Sequence, residues 1–271
     1  GANQVFNIGV TATDSTTLGA YQIESAASAT AVAATAASAD AKINALVTAT
    51  ADYVVAGSFG STTVKVDGGA DARDVAQSFN LSAGTTGITA SAITKANITA
   101  ISAADTFSFT LKGKSSTAST VNATVTSATN LTSLKDAINS VSGATGITAS
   151  LTQDLSGINL VQQDGYDIVV GGVNSASTGT MSVAAATKAG VTQGTAVALG
   201  GTTTTDSLGI IGQISLSSHK AFTVTPGVAT NHFTAAATAE TSTLSTMGAV
   251  DISSQNGATN ALSVIDRALA M

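Results

Sequence analysis

The chain reads as an α+β protein, β-rich, with short helices packed on antiparallel sheets. Three observations predict this. Short stretches alternate apolar with polar residues, are rich in Thr and Val, and are punctuated by Gly, Asn and Asp. An internal duplication repeats a helix, a Gly turn and a strand. The last twenty-two residues read as a strand end, an N-cap and a one-faced helix.

Taken in order, Val5/Asn7 against Phe6/Ile8/Val10 alternate as in a half-buried strand over residues 3–12. Residues 24–50 are Ala-rich, with Lys42, Ile43, Leu46 and Val47 at helical spacing, which predicts a helix. Strands follow near Tyr53–Phe59 and Thr62–Val66, and Asp67-Gly68-Gly69 breaks the chain before a short helix. The segment Gly84–Ser91 (GTTGITAS) then recurs fifty-nine positions later as Gly143–Ser150 (GATGITAS). Upstream of these, Val75 and Phe79 correspond to Leu134 and Ile138, so each copy carries a short amphipathic helix. The units are read as 71–112 and 130–170, with Phe107, Phe109 and Leu111 alternating along the strand of copy one. In copy two, Asp164-Gly165 between Gly157–Gln162 and Tyr166–Val170 predicts a β-hairpin. Two copies make a duplication and not a solenoid.

Residues 171–208 are rich in Gly, Thr and Ser, with a weak strand around Val191–Leu199. Strands at Ile210–Ser217 and Ala221–Thr225 are joined through Ser218-His219-Lys220, and Thr225-Pro226-Gly227 suggests a type II turn. Residues 228–247 read as helical or irregular. In the final helix Ser253 is the N-cap, and Leu262, Ile265 and Leu269 form a stripe widened by Ala258, Ala261 and Ala268. A helix of about fifteen residues is marginal alone in water, so this stripe needs partner helices.

Composition narrows the function classes. The 271 residues contain no Cys and no Trp, one Pro, and only 10% charged residues. Without Cys there is no disulfide staple and no thiolate chemistry. A net charge of -6 and the lack of a basic cluster argue against nucleic acid and against an anionic membrane surface. No apolar run approaches the roughly 18 residues of a membrane-spanning helix.

Catalytic and metal-binding motifs are weak. His219 and His232 lie thirteen positions apart, without the His-x-x-x-His spacing of a zinc site. Asp164 and Asp167 lack the ligand alternation of a calcium loop, and Asp67, Asp71 and Asp74 read as helix-dipole partners. There is no Gly-x-Ser-x-Gly elbow and no phosphate loop, and Glu occurs only at Glu24 and Glu240. No enzymatic activity, cofactor or metal is therefore expected. Hydroxyl-rich strands and Tyr21, Tyr53 and Tyr166 leave sugar contact open beside a purely structural reading. Asn80, Asn97, Asn122 and Asn130 head N-x-Ser/Thr triplets that read as chance matches.

Several strings resemble bacterial flagellin. Asp251-Ile252-Ser253, Gly257-Ala258, Asn260-Ala261-Leu262, Ile265-Asp266 and Ala268-Leu269 look like the start of its C-terminal rod helix. Gly1-Ala2-Asn3-Gln4-Val5 is similar to the segment that follows its long N-terminal helices. Gly212–Ser218 with Ala221–Val224 resembles a strand pair of flagellin outer domains, and the "TGITAS" and "DG-D" elements resemble the flagellin insert repeat. Ser242–Ser245 followed by Val250–Ser253 looks like the return into the rod.

The resemblance implies rod-domain stubs at 1–22 and 247–271 around an outward-facing variable domain at 23–246. It implies a secreted, extracellular structural subunit of the flagellar filament, whose partners are other flagellin subunits. Phe6, Ile8, Leu262, Ile265 and Leu269 would make the rod and self-assembly contacts. Cut from its rod, the body is expected to be monomeric. The alternative is a cell-surface flagellin that binds polysaccharide, with Lys65, Arg73, Lys112, Lys114 and Lys220 as candidate glycan contacts.

Overall fold

The computed structural model describes residues 19–25, 28–32, 50–200, 206–228, 232–233, 237–246, 248, 261 and 265. The α+β expectation holds: short helices pack on antiparallel sheets, and every strand pair among the described residues is antiparallel. Two buried clusters divide these residues into two modules.

Module one starts with a hairpin, β3 (Ala51–Ala56) and β4 (Ser61–Val66). Strict alternation buries Ala51, Tyr53 and Val55 and leaves the residues between them exposed. The strand ends at Ala56, short of the expected Phe59, because Gly57 N–H donates to the Gly60 carbonyl and closes the turn. Phe59 is left exposed at the tip. Helix α1 (Ala72–Leu81) then lays Val75 and Phe79 into the core, followed by the one-turn α2 (Ala83–Thr86) and the long strand β5 (Thr89–Ile101).

Module two repeats this path with β6 (Asp105–Lys112), β7 (Ser119–Val125), α3 (Thr132–Ser140), α4 (Ser142–Thr145) and β8 (Ile147–Leu151). The same bonds pin both copies. Asn80 exchanges two hydrogen bonds with the backbone of Ala90, at 2.9 and 2.8 Å, and Asn139 does so with Ala149 at the same distances. The buried hydroxyl of Thr86 donates to the Ser82 carbonyl and accepts from Ile88 N–H. Thr145 does the same between Val141 and Ile147. Gly87 and Gly146 close the turns at φ 73° and 71°, which a side chain would strain. Phe107, Phe109 and Leu111 therefore belong to the hairpin that precedes the second helix, in the place of Tyr53 and Val55 before the first. The repeat begins one hairpin earlier than its most visible motif.

The closing strands show how the modules are connected. Strand β9 (Ile158–Gln162) returns along β8, with Ala149 opposite Leu160. In module one the equivalent Ala90 faces Leu216 of β14 (Gln213–Ser218). Ile214 and Leu216 thus do for the first copy what Ile158 and Leu160 do for the second, and all four are buried. The second copy lies inside the first, inserted between β5 and β14. Strand β5 runs on to pair β9 along its second half and β11 (Met181–Ala186) on its other edge.

The remaining strands complete three sheets. β12 (Thr192–Leu199) borders β11, while β1 (Gly19–Glu24) sits between β14 and β17 (Thr243–Thr246). β10 (Ile168–Ser175) lies between β6 and β13 (Ser207–Ile211), and β2 (Ser28–Val32) borders β13. β15 (Thr223–Pro226) pairs β3 and β16 (Glu240–Thr241).

Four expectations are corrected. The helix over 24–50 gives way in its described part to the end of β1 and to β2, because β13 offers an open edge that takes any non-proline backbone. The rest of that segment lies outside the described residues, as do the strand over 3–12 and most of the final helix. Asp164-Gly165 does not make a hairpin: both edges of β9 are taken by β8 and β5, so the turn sends β10 into another sheet. Ile210–Ser217 breaks at Gly212 into β13 and β14, and β14 and β15 likewise lie in different sheets. Pro226 ends a strand, with Gly227 N–H bonded to the Asp52 carbonyl, instead of opening a type II turn. Strands β1, β7, β11, β16 and β17 fall where the sequence predicts no strand.

The aromatic centre of module one holds a titratable group. Tyr53, Phe79 and Phe233 meet with ring centroids 5.6–5.8 Å apart, and Tyr53 Oη lies 3.2 Å from His232 Nδ1. Burial pushes the His232 imidazole down to about 4. A depressed folded value means that stability is intact above the usual histidine range near pH 6.5 and is lost as pH falls toward 4. We expect His232→Gln to remove a component of roughly 2–4 kcal/mol from the loss of stability between pH 7 and 4, measured by urea unfolding. A second expectation concerns the insertion. No residue of the module-one core comes from 94–212. Joining Ile93 to Gln213, which face each other, through Asn-Gly should give a chain that unfolds cooperatively and keeps its near-ultraviolet aromatic signal.

Candidate functional site

Two places gather polar side chains. The first is the seam where the turn after β9 meets the start of α1. Asp71 caps α1 with an extended backbone, and Asp74 lies in the first turn, where carboxylates favour the helix dipole. Arg73 N–H donates to the Gly165 carbonyl at 3.1 Å. Its guanidinium pairs with Asp74 at 2.6 Å and stands 4.8 Å over the Tyr166 ring. Gly165 is in the left-handed region at φ 82°, and a Cβ there would sit 2.4 Å from that of Ala92. The Asp167 carboxyl lies within the field of Asp71, and its Oδ1 is buried without a hydrogen-bond partner. Burial, and then the Asp71 charge, push it well above the usual carboxylate range. Asp71 is raised by burial and then by Asp74, against the opposing pull of Lys112 and Arg73.

The second place is an open cleft of about 210 Å³ between Asn97–Thr99 on β5, the 152–157 loop, Asn159 on β9 and Thr192. Its floor is the pair Asn97 and Asn159, opposite each other in register. Asn97 Nδ2 donates to the Gly190 carbonyl at 3.1 Å and to Thr192 Oγ1 at 2.9 Å. At the rim, Asp154 accepts from the hydroxyls of Ser156 and Thr152, both at 2.6 Å. These bonds hold the exposed Asp154 carboxyl down to about 2. The cleft therefore presents a fixed negative acceptor, carboxamides and hydroxyls, and no cationic side chain lines it.

Of the five basic residues singled out by sequence, the structure brings Arg73 and Lys112 together at the seam, beside carboxylates that offset their charge. Lys114 follows β6, its N–H bonded to the Thr145 carbonyl and its stem against Gly146. Lys65 lies across from Asp52 on the exposed face of the first hairpin, and Lys220 is exposed after β14. Ile265 is helical and exposed, beside a buried Ala261; Phe6, Ile8, Leu262 and Leu269 lie outside the described residues. Sequence reasoning missed Asp154, Asn97 and Asn159 as a group. The available signal was a carboxamide between apolar neighbours in each of two strands, Ala96-Asn97-Ile98 and Ile158-Asn159-Leu160. Among the described residues no group of three or more His, Asp or Glu could hold a metal, and no helix is long and apolar enough to cross a membrane.

Comparison with known proteins bears on the class. Residues 106–164, which span module two from β6 through β9, match the family model of the flagellin hook IN motif. No curated protein sequence matches the chain. Among solved structures, the chain is similar to the flagellar cap protein FliD from Helicobacter pylori, with 10% identity and a TM-score of 0.22. That alignment covers 60% of this chain and 58% of the other. The motif match supports a β-rich structural protein of the flagellar filament type, in line with the resemblance read from the sequence. Module one, pinned by the same Asn and Thr bonds, is a second copy of the matched unit.

For the cleft we expect the Asp154 carboxyl carbon to show no titration in NMR until about pH 2, and Ser156→Ala to move that midpoint upward.

Proposed function

We propose that the chain is the outward-facing part of a flagellin, the subunit of the bacterial flagellar filament, exposed to the extracellular medium. Residues 23–246 would form the variable body, with 1–22 and 247–271 as stubs of the inner rod domain. The observation that carries this reading is the path of the chain. Strands β1 and β17 pair antiparallel, with Gly19 opposite Thr246, so the body is entered and left at one point. A body tethered in that way suits an insertion carried outward from a polymerising stalk. The motif at 106–164 supports the same reading.

In this role the function is mechanical and interfacial. The rod helices assemble the filament wall, with Leu262, Ile265 and Leu269 on the stalk side and Phe6 and Ile8 at its base. The nested modules form the outer surface. A low charge density suits close side-by-side packing of many copies, since self-repulsion grows with net charge.

A second reading, a surface flagellin that contacts polysaccharide, is favoured by the cleft over Asn97 and Asn159. Its size, below the roughly 300 Å³ of ordinary ligand pockets, suits one sugar ring. Its chemistry suits neutral hydroxyls. An acidic glycan would instead use the basic residues Lys65, Arg73, Lys112, Lys114 and Lys220.

Antibodies raised against this chain should label flagellar filaments along their whole length in immuno-electron microscopy. Label confined to the tip, or absent from filaments, overturns the filament assignment. For the second reading, the chain is passed over neutral and acidic polysaccharide matrices. Retention on the neutral matrix that Asn159→Ala abolishes supports the cleft, and no retention on either matrix removes this reading.

A further inference from the structure

Most hydrogen-bond donors around the cleft over Asn97 and Asn159 are engaged with the protein itself. Asn97 Nδ2 spends its two hydrogens on the Gly190 carbonyl at 3.1 Å and on Thr192 Oγ1 at 2.9 Å. What remains of that carboxamide is its oxygen, an acceptor. The Thr99 hydroxyl donates to the Ser182 carbonyl at 3.4 Å. At the rim the Thr152 and Ser156 hydroxyls both donate to Asp154, one to each carboxylate oxygen, at 2.6 Å. A carboxylate has about four lone-pair sites, so Asp154 keeps capacity to accept. The donors left to a ligand are the Thr192 hydroxyl hydrogen and the Asn159 amide.

The charge is one-sided as well. Among the described residues that line the cleft, Asp154 is the one ionisable group. The groups that hold its carboxylate are the Ser156 and Thr152 hydroxyls and the Ser156 N–H, and none of them is a cation. The loop that presents it is fixed. Leu155, between Asp154 and Ser156, stands at φ 62°, a left-handed conformation that a leucine adopts only under constraint. Its N–H donates to the Thr152 carbonyl and its carbonyl accepts from Leu131 N–H, both at 3.0 Å. Thr152 N–H to the Gly157 carbonyl, at 2.9 Å, closes the loop.

We propose that this cleft binds one amino-sugar ring through its ammonium group, with Asp154 as the anionic anchor and the Asn97 carbonyl oxygen as a second acceptor. The assignment rests on the polysaccharide reading of the cleft and narrows its ligand from neutral sugars to cationic ones. An ammonium carries three donors and no acceptor, the complement of an anionic surface rich in acceptors. A hydrogen bond between two charged groups is also stronger than one between neutral partners. Asn159 and Thr192 then donate to the oxygens of the ring and its hydroxyls. N-acetylation of the sugar removes the charge, and a plain hexose never had it, so both forgo the bond to Asp154. The net charge of -6 draws cations to the whole chain, and selectivity for this cleft falls to Asp154.

The test is an NMR titration of the whole chain with glucosamine, N-acetylglucosamine and glucose at mildly acidic pH, read at the side-chain amides of Asn97 and Asn159. We expect glucosamine to bind about tenfold more tightly than either uncharged sugar, the effect of one charge-assisted hydrogen bond. Asp154→Asn should abolish that preference and leave glucose binding as it was. In the unaltered chain, raising the pH until the sugar amine is neutral, with Asp154 still ionised, should abolish it too. Equal binding of the three sugars overturns the inference and leaves the polysaccharide reading standing. A preference that survives in Asp154→Asn, or at alkaline pH, does the same. No shift with any of the three overturns both. The pH arm decides the matter even where Asp154→Asn does not fold.

Discussion

Strand β5, Thr89–Ile101, is shared by two hydrophobic cores, and the rest of the architecture follows from that sharing. Its first half pairs β14 and backs the module built on Tyr53, Phe79 and Val75. Its second half pairs β9 and β11 and carries Ala96, Ile98 and Ile101 into the module built on Phe107, Phe109 and Leu134. A strand has two edges, and a backbone amide left without a partner inside the protein costs of order 1–3 kcal/mol. With β14 paired to β5 and β1, and β9 paired to β5 and β8, neither has a free flank to offer its sequence neighbour. Strands β10, β13 and β15 must then pair elsewhere. The nested connection is thus a consequence of edge accounting on one long strand.

In the proposed filament role, nesting would have a mechanical meaning. A module strung on one linker can swing, whereas module two is entered through the continuous strand β5, and its turn at Gly165 is bonded to Arg73 of α1. The body is tied to its own base through β1 and β17. A body built in this way would resist shear through hydrogen-bonded ladders without disulfides, which suits a chain with no cysteine. Duplication and insertion of one helix-and-hairpin unit enlarge such a body without a new core design.

Part of this was legible from residues alone. The i, i+4 pairs Val75/Phe79 and Leu134/Ile138, with Gly87 and Gly146 after them, announced two equivalent helices and turns because local spacing determines which helix face is apolar. The alternation in Ala51–Ala56 and Phe107–Leu111 marked strands for the same local reason. Asp164-Gly165 misled because a turn dipeptide specifies a change of direction and carries no information about which strand waits on the far side. Ser28–Val32 misled because small residues accept helix or strand, and the neighbouring edge of β13 decides. The cleft residues Asn97, Asp154 and Asn159 escaped notice because they are separated in sequence and meet only through the register of β5 with β9.

The sequence by itself determined the local grammar of this protein: the two repeated helices and their turns, the alternating strands, which of their faces are apolar, that one unit occurs twice, and which family it resembles. Those properties depend on contacts within a turn or two of the chain, so nearby residue types specify them. Tertiary structure alone decided that the second copy sits inside the first and that β14 completes the first copy across 120 residues. It also decided that the start of α1 meets the turn after β9, where Arg73 N–H bonds the Gly165 carbonyl. These are choices among competing long-range strand edges and burial sites, and they are settled by the joint satisfaction of backbone hydrogen bonds and two closed cores.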